Sequence, residues 1–131
     1  GLEIDRLDRF PGIYSARWGG KKSNFNLAIK RVYEELKKND VNWYKIKQTA
    51  RFVCALTVYW PNNKFINVSG KVEGTISRFK KGNNGFGYDS VFYYPPKKKN
   101  LAEISLSEKQ KISHRGKAVS KAIKYIETID K

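Results

Sequence analysis

A chain of 131 residues, 40% of them hydrophobic, is long enough to build one hydrophobic core, so its length predicts a single domain over residues 1–131. The net charge of +15 favours an anionic partner such as a nucleic acid, a phosphorylated small molecule or a membrane surface, although an ordinary solvated surface explains it as well. The single cysteine excludes an intrachain disulfide, and no apolar run approaches the ~20 residues that cross a bilayer; together with the lack of a signal-peptide pattern, this predicts a cytoplasmic protein.

The first predicted element is an amphipathic helix over residues 23–39. Its apolar residues recur at three- and four-residue spacing. They are Phe25, Ile29, Val32 and Leu36. Ser23 or Asn24 is expected to cap the start of this helix, and Asn39-Asp40 is expected to end it.

A β-hairpin is predicted next. Residues 51–60 and 64–77 have the composition of strands, and the "PNN" stretch between them is typical of a turn. Glycines within strands often mark a bulge, so Gly70 and Gly74 are expected to bend or bulge the second strand.

The remaining elements follow a glycine-rich loop. A short strand is predicted over residues 90–94, and Pro95-Pro96 ends it. From Ser107 onward the pattern predicts a short turn or helix, and then a longer helix capped by Ser113. The face of this helix that is expected to be buried consists of Val119, Ala122, Ile126 and Ile129. This order of elements predicts an α/β fold, a mixed sheet with flanking helices, and leaves the strand order open.

The glycine-rich stretch "KGNNGFGYD" matches neither common phosphate-binding fingerprint. It lacks the Gly-Lys-Ser/Thr of a P-loop, and its glycines precede a strand instead of a helix. Its small Gly85 and Gly87 leave the ring of Phe86 open to a flat ligand, and Asp89 lies close enough in sequence to accept hydrogen bonds from ring N–H groups. The alternative is a loop whose aromatic residues only anchor it to the core.

A second candidate site lies at the start of the last helix. His114 is the only histidine, Arg115 follows it, and Lys109 precedes it by five residues. All three side chains can donate hydrogen bonds, so together they could recognise a keto oxygen and reject an amino group, which would leave the donors unpaired. The alternative is a solvated basic helix start with an incidental histidine.

Other chemistry finds little support in the sequence. One histidine and one cysteine cannot form a zinc cluster, and no nucleophile motif is present. The residues themselves therefore predict a basic α/β domain with a pocket for a flat, anionic ligand that carries a keto group.

Four stretches resemble one enzyme family in order and approximate spacing. They are "GLEIDRLDRFPGIYSARW", "GFGYDSVFYYP", "LAEIS" and "EKQKISHRGKA", and the family is that of the inosine/xanthosine triphosphate pyrophosphatases. The resemblance covers essentially the whole chain. It implies an elongated α/β fold with two lobes around a central cleft, and hydrolysis of ITP, dITP and XTP to the monophosphate and pyrophosphate with Mg²⁺.

The resemblance also implies roles for the two candidate sites. Phe86 would stack on the purine, and the segment Gly87, Tyr88 and Asp89 would hold the edge of the base. The residues that would read the 6-keto group, which distinguishes hypoxanthine and xanthine from adenine, are Lys109, His114 and Arg115.

Several family motifs are not found in these 131 residues. They are a Ser/Thr-Gly-Asn-x-x-Lys phosphate loop, a metal-binding glutamate and an Asp-Asp-Ser stretch. The resemblance therefore implies an N-terminally truncated C-terminal portion that keeps base recognition, with no catalytic or metal residue assigned. Asp5 and Asp8 are not taken as substitutes.

The expected partners are a purine nucleoside triphosphate and a second copy of the chain. The homodimer is implied by the resemblance and by aromatic residues that a small domain does not easily bury. These aromatic residues include Tyr14, Trp18, Trp43 and Trp60. A membrane partner is not expected. A single-stranded nucleic-acid binder, suggested by the charge and by 14% aromatic residues, and an inert binding remnant remain the less favoured alternatives.

Overall fold

The computed structural model describes residues 1–129, in which a five-stranded sheet is flanked by helices. The strands are β1 (Leu2–Ile4), β2 (Thr49–Tyr59), β3 (Phe65–Ile76), β4 (Phe92–Tyr94) and β5 (Lys99–Asn100). The helices are α1 (Phe25–Asn39), α2 (Leu106–Ile112) and α3 (His114–Ile129), and short 3-10 turns join several elements. Strands adjacent in sequence are adjacent in the sheet, and each pairing among these residues is antiparallel. The predicted α/β class with flanking helices is confirmed, but the predicted mixed sheet is wrong, because every strand pairing among residues 1–129 is antiparallel.

Helix α1 forms as predicted. Asn24 caps it, because its side-chain oxygen accepts hydrogen bonds from the backbone N–H groups of Asn26 and Leu27 at 3.0 and 3.4 Å. The helix ends at Asn39, followed by Asp40 in an extended conformation. Its predicted apolar face is buried, with Phe25 partly exposed.

The predicted hairpin is confirmed, but the predicted bulge is wrong. Strands β2 and β3 pair one to one from Thr49↔Thr75 to Tyr59↔Phe65, with Gly70 opposite Cys54. The glycines are needed for close packing instead. A Cβ on Gly70 would lie 2.2 Å from the carbonyl oxygen of His114, and one on Gly74 would lie 2.5 Å from the ring of Phe92.

The predicted buried face of α3 is partly wrong. Ser113 caps the helix as expected, because its hydroxyl accepts a hydrogen bond from the N–H of Gly116 at 3.0 Å. The fully covered positions, however, are Ala118 and Ala122, whereas Val119 and Ile129 are 47% and 52% exposed. Helix α3 packs directly on the β2–β3 hairpin at Gly70, so only small side chains fit between the helix and the sheet. The larger apolar residues Val119 and Ile129 therefore lie on the outer side of the helix.

The core gathers apolar side chains from the sheet, α1 and the short turns. Its largest fully buried members are Phe92, Leu2, Ile4, Leu36, Val32, Val72 and Val91. Strands and helix both contribute, so burying this cluster supplies most of the hydrophobic stabilisation. Within residues 1–129, no helix combines the length and apolar character needed to cross a bilayer.

A charged cluster on the sheet surface joins the turn after β1 to β2 and β3. The guanidinium of Arg51 donates to both carboxylate oxygens of Asp5 at 2.9 Å and to Glu73 at 3.1 Å, and the hydroxyl of Thr49 donates to Asp5 at 2.6 Å. The hydrogen bonds from Arg51 and Thr49 lower the pKa of Asp5 from 3.8 to about 2.

We expect Asp5→Asn to lower the free energy of unfolding at pH 7 by ~1 kcal/mol or less, because the carboxylate is partly exposed and its ion pair is screened by solvent. The folded-state pKa is the lower one, so the carboxylate stabilises the fold above about pH 4, and this contribution is lost as the pH falls toward 2. Denaturant unfolding from pH 2 to 7 measures it. Asp8→Asn, at a residue in no ion pair among residues 1–129, is the matched control and should change little at any pH.

Candidate functional site

A cleft of about 870 Å³ opens beside the glycine-rich loop. Its walls come from the turn at residues 12–16, the start of α1, the loop at residues 85–89, helix α2 and the first turn of α3. The volume is ample for a nucleotide, since ligand pockets commonly measure about 300–1,000 Å³. All the residues predicted from the sequence to bind substrate line this cleft: Phe86, Gly87, Tyr88, Asp89, Lys109, His114 and Arg115.

The loop at residues 85–89 depends on its glycines. Gly85 and Gly87 have φ values of +72° and +65°, a region that favours glycine. A Cβ on Gly85 would also lie 2.2 Å from a carboxylate oxygen of Asp89. This backbone path turns the side chain of Phe86 outward, where it is 59% exposed beside the cleft. The open aromatic face that the sequence predicted is therefore present.

Asp89 is buried and already hydrogen-bonded. Its Oδ2 atom accepts a short hydrogen bond from the ammonium of Lys109 and a 3.1 Å hydrogen bond from the backbone N–H of Phe86. Asp89 is 4% exposed, so this ion pair ties the loop to α2 and holds the Lys109 ammonium at the cleft. Asp89 thus orients Lys109 and closes the loop, and its role as an acceptor for ring N–H groups of a ligand stays a prediction.

Two cations flank the ring of Phe86. The ammonium of Lys109 lies 5.0 Å from the ring centroid, and the guanidinium of Arg115 lies 5.1 Å from it. Both distances allow a cation–π interaction. The stacking surface and the hydrogen-bond donors therefore lie side by side, as a single flat ligand with a keto oxygen would need.

His114 lies half-buried at the first position of α3. Its ring stacks on Phe52, with centroids 5.1 Å apart and planes 15° from parallel. Burial, followed by the positive charges around the ring, which include those of Arg115 and Lys109, lowers the pKa of His114 from 6.5 to about 4. The imidazole is therefore neutral at pH 7, with one N–H donor and one acceptor nitrogen.

Tyr88 points away from the open side of the cleft. It is 3% exposed, and its hydroxyl donates to the carbonyl oxygen of Ser15 at 2.5 Å. Its ring also meets the ring of Phe25 edge to face at 5.7 Å. Most of the Tyr88 side chain is consequently part of the wall and not of the ligand surface.

Several residues that line the cleft are not predicted from the sequence. These are Gly12, Ser15, Phe25, Phe52 and Leu106, among others. Gly12 and Ser15 lie in the stretch "PGIYSAR", which only the family resemblance marks, and the other positions carry no chemical signature that a single sequence could show.

Within residues 1–129, no group of three or more His, Cys, Asp or Glu side chains is placed to hold a metal ion. The carboxylate of Asp89, which lines the cleft, is paired with the ammonium of Lys109. The carboxylate of Asp5 is paired with Arg51 and does not line the cleft. The site geometry therefore supports recognition of a flat, electron-rich ligand, and it assigns no residue to metal binding.

Comparison with known proteins gives one consistent result. The Ham1 family model matches residues 1–125. The chain is 43% identical over 127 residues to a dITP/XTP pyrophosphatase of Bacillus subtilis and 46% identical over 123 residues to one of Bacillus anthracis. These matches cover 97% and 92% of this chain but only 62% and 59% of the relatives, so the chain spans less than two thirds of their length.

Solved structures agree with the sequence matches. A HAM1 protein from Coxiella burnetii and the Ham1 protein of Staphylococcus aureus each superpose with a TM-score of 0.88 at 34% identity. Each superposition covers 98% of this chain and 64% of the solved chain.

Proposed function

The chain belongs to the Ham1 family, and from this premise we propose that it recognises the base in an enzyme that hydrolyses purine nucleoside triphosphates such as dITP, XTP and ITP to the monophosphate and pyrophosphate. The observation that carries the proposal is the convergence of three donor side chains beside an exposed aromatic ring in one cleft. The donors are Lys109, His114 and Arg115, and the ring is that of Phe86.

Selectivity for keto purines follows from the chemistry of these donors. Lys109 and Arg115 carry only donors, and the neutral imidazole of His114 presents one N–H. A 6-keto oxygen can accept from them, whereas a 6-amino group cannot, and each donor left unpaired in the closed site costs about 1–3 kcal/mol. The site would therefore bind hypoxanthine or xanthine in preference to adenine.

Magnesium enters this proposal only as a companion of the triphosphate. Residues 1–129 offer no carboxylate cluster for the ion, so no residue of this chain is assigned to it and no catalytic residue is named. The contribution of this chain to the reaction is to bind and orient the base, which places the phosphates at a defined distance from Phe86.

A cytoplasmic homodimer is the proposed working form. Support comes from exposed apolar residues at the hairpin tip, where the rings of Tyr59 and Phe65 stack 5.2 Å apart on the surface. Trp43, one of the aromatic residues expected at an interface, is instead buried in the core. Sedimentation of the intact protein measures the assembly state.

The direct test of the function is pyrophosphate release by the intact protein. We expect kcat/KM for ITP to exceed that for ATP by at least about tenfold. The 6-keto oxygen of ITP accepts from a donor of the site that the 6-amino group of ATP would leave unpaired, and one such donor is worth about 1.4 kcal/mol or more. Equal rates for the two nucleotides would contradict the proposal. Binding to single-stranded DNA that weakens steeply with salt and ignores base identity would favour the nucleic-acid alternative instead.

A further inference from the structure

The loop that carries Phe86 is hydrogen-bonded to the turn at residues 12–16, which lines the same cleft. The hydroxyl of Tyr88 reaches across 73 residues of sequence to the carbonyl oxygen of Ser15, at 2.5 Å. Burial raises the pKa of Tyr88 to about 12, so the phenol stays protonated and remains a donor throughout the physiological range.

Ser15 is itself held in place from two sides. Its hydroxyl donates to the carbonyl oxygen of Gly12 at 2.6 Å and accepts from the backbone N–H of Leu2 at 2.9 Å. Leu2 is fully buried in β1, so the acceptor carbonyl for Tyr88 belongs to a turn that is fastened to the sheet. The loop is therefore hydrogen-bonded to a turn that is itself held by the sheet.

The residues on either side of Tyr88 carry or position the groups that would contact the base. Phe86 precedes Tyr88 by two residues, and Asp89, which holds the ammonium of Lys109, follows it directly. Phe86 is 59% exposed and Tyr88 is 3% exposed, and Gly87 between them has a φ of +65°, which lets the backbone turn so that one ring faces outward and the other inward. A shift of Tyr88 would therefore move the stacking ring and, through Asp89, the Lys109 ammonium together.

We propose that Tyr88 and Ser15 are positioning residues for base binding: the Tyr88 hydroxyl on the Ser15 carbonyl sets where Phe86 and Lys109 stand in the cleft. Neither side chain needs to touch the base for this role. The inference rests on the proposed function, and it changes the expected role of Tyr88 from holding the edge of the base to holding the loop.

The chain supplies a matched control for the lost hydroxyl. Tyr33 is also partly buried, its hydroxyl donates to the backbone carbonyl of Ser77 at 2.8 Å, and burial raises its pKa to about 12 as well. Tyr33 does not line the 870 Å³ cleft. Tyr33→Phe and Tyr88→Phe therefore remove equivalent hydrogen bonds, but only the second lies at the proposed site.

The experiment measures the dissociation constants of inosine and adenosine monophosphates by calorimetry, together with kcat and KM for ITP, in the intact protein. Tyr88→Phe should raise the dissociation constant of both monophosphates about tenfold and raise KM, while kcat stays within about twofold. Tyr33→Phe should leave all of these constants within about twofold of wild type. Thermal unfolding should show similar losses of stability in the two variants.

A second variant loosens the turn that carries the acceptor. Ser15→Ala keeps the backbone carbonyl that accepts from Tyr88 but removes the two hydrogen bonds of the Ser15 hydroxyl, to Gly12 and from Leu2, that hold this turn. It should weaken the binding of both monophosphates, and adding it to Tyr88→Phe should cost less than the product of the two single effects, because the position of the turn matters to the loop only through that hydrogen bond. Wild-type affinity in Tyr88→Phe, or an equal loss in Tyr33→Phe, would overturn the inference. A wild-type protein without preference for inosine monophosphate would instead overturn the proposed function.

Discussion

Arg115→Ala and His114→Ala should each reduce the preference for ITP over ATP by roughly ten- to a hundredfold, equivalent to about 1–3 kcal/mol. Each substitution removes a hydrogen bond to the 6-keto oxygen and also the unpaired donor that a 6-amino group would meet. ITP therefore loses kcat/KM, and ATP loses less or gains. An ITP/ATP ratio of kcat/KM that stays unchanged in both variants of the intact protein would show that these residues do not read the base.

Phe86→Ala provides the contrast for that experiment. The exposed ring offers a flat face, and stacking on it is worth about 1–3 kcal/mol for any base. Its removal should lower kcat/KM for ITP and ATP by similar factors and leave their ratio unchanged. A ratio that collapses in Phe86→Ala as it does in Arg115→Ala would mean that the ring only supports the cations beside it.

The pH dependence of the ITP/ATP ratio of kcat/KM shows whether His114 is neutral or charged. The pKa of His114 is lowered from 6.5 to about 4, so the imidazole keeps one protonation state across the pH range in which the enzyme would be assayed. The ITP/ATP ratio of the wild-type protein should accordingly be flat from about pH 5 to pH 8. A transition near pH 6.5 would indicate that the histidine titrates as an exposed group.

Gly70→Ala should lower the free energy of unfolding by about 2–3 kcal/mol, an effect typical of overpacking against atoms that cannot move aside. The added Cβ would lie 2.2 Å from the carbonyl oxygen of His114, 2.6 Å from the backbone nitrogen of Ala118 and 2.7 Å from the Cβ of Lys117. These are mostly backbone atoms of α3, so the helix itself has to shift. Urea unfolding at pH 7 measures the loss.

Ser69→Ala is the control for that substitution. Ser69 is the neighbouring residue on β3 and is exposed, and its backbone carbonyl, which alanine retains, accepts a hydrogen bond from the ammonium of Lys121 in α3 at 2.6 Å. It should change stability by less than about 0.5 kcal/mol, as exposed substitutions usually do. Because α3 begins with His114, Gly70→Ala should also weaken the discrimination between ITP and ATP, whereas Ser69→Ala should not. Wild-type stability in Gly70→Ala would contradict the close packing of α3 on the hairpin.

Local patterns explain why helix α1 and the β2–β3 hairpin could be predicted. The start of α1 depends on Asn24 and its apolar face on the spacing from Ile29 to Leu36, which are interactions between residues a few positions apart. The hairpin joins two strands through a short turn, so its register follows from neighbouring sequence as well. A single sequence carries these signals in full.

Packing between distant segments explains the errors. The sequence predicts a bend or bulge at Gly70 and Gly74, because a glycine in a strand often marks one. In the structure, the absence of a side chain at Gly70 lets α3 pack closely on the strand, and the residues of α3 buried against the sheet are Ala118 and Ala122. Neither result can be found from β3 or α3 separately, since each depends on the shape of the other.

The sequence by itself indicated the fold class, the main helix and the hairpin, because propensity and periodicity are properties of short stretches. Its motifs, through their resemblance to the pyrophosphatase family, indicated the seven residues proposed to form the base site. Only the tertiary structure decided that these seven residues share one cleft, that Asp89 holds Lys109, and that Tyr88 rests on Ser15. It also decided the neutral state of His114, since its lowered pKa comes from burial and from charges that the fold brings close. Such contacts join residues up to 73 positions apart, and they form only when the sheet and helices pack together.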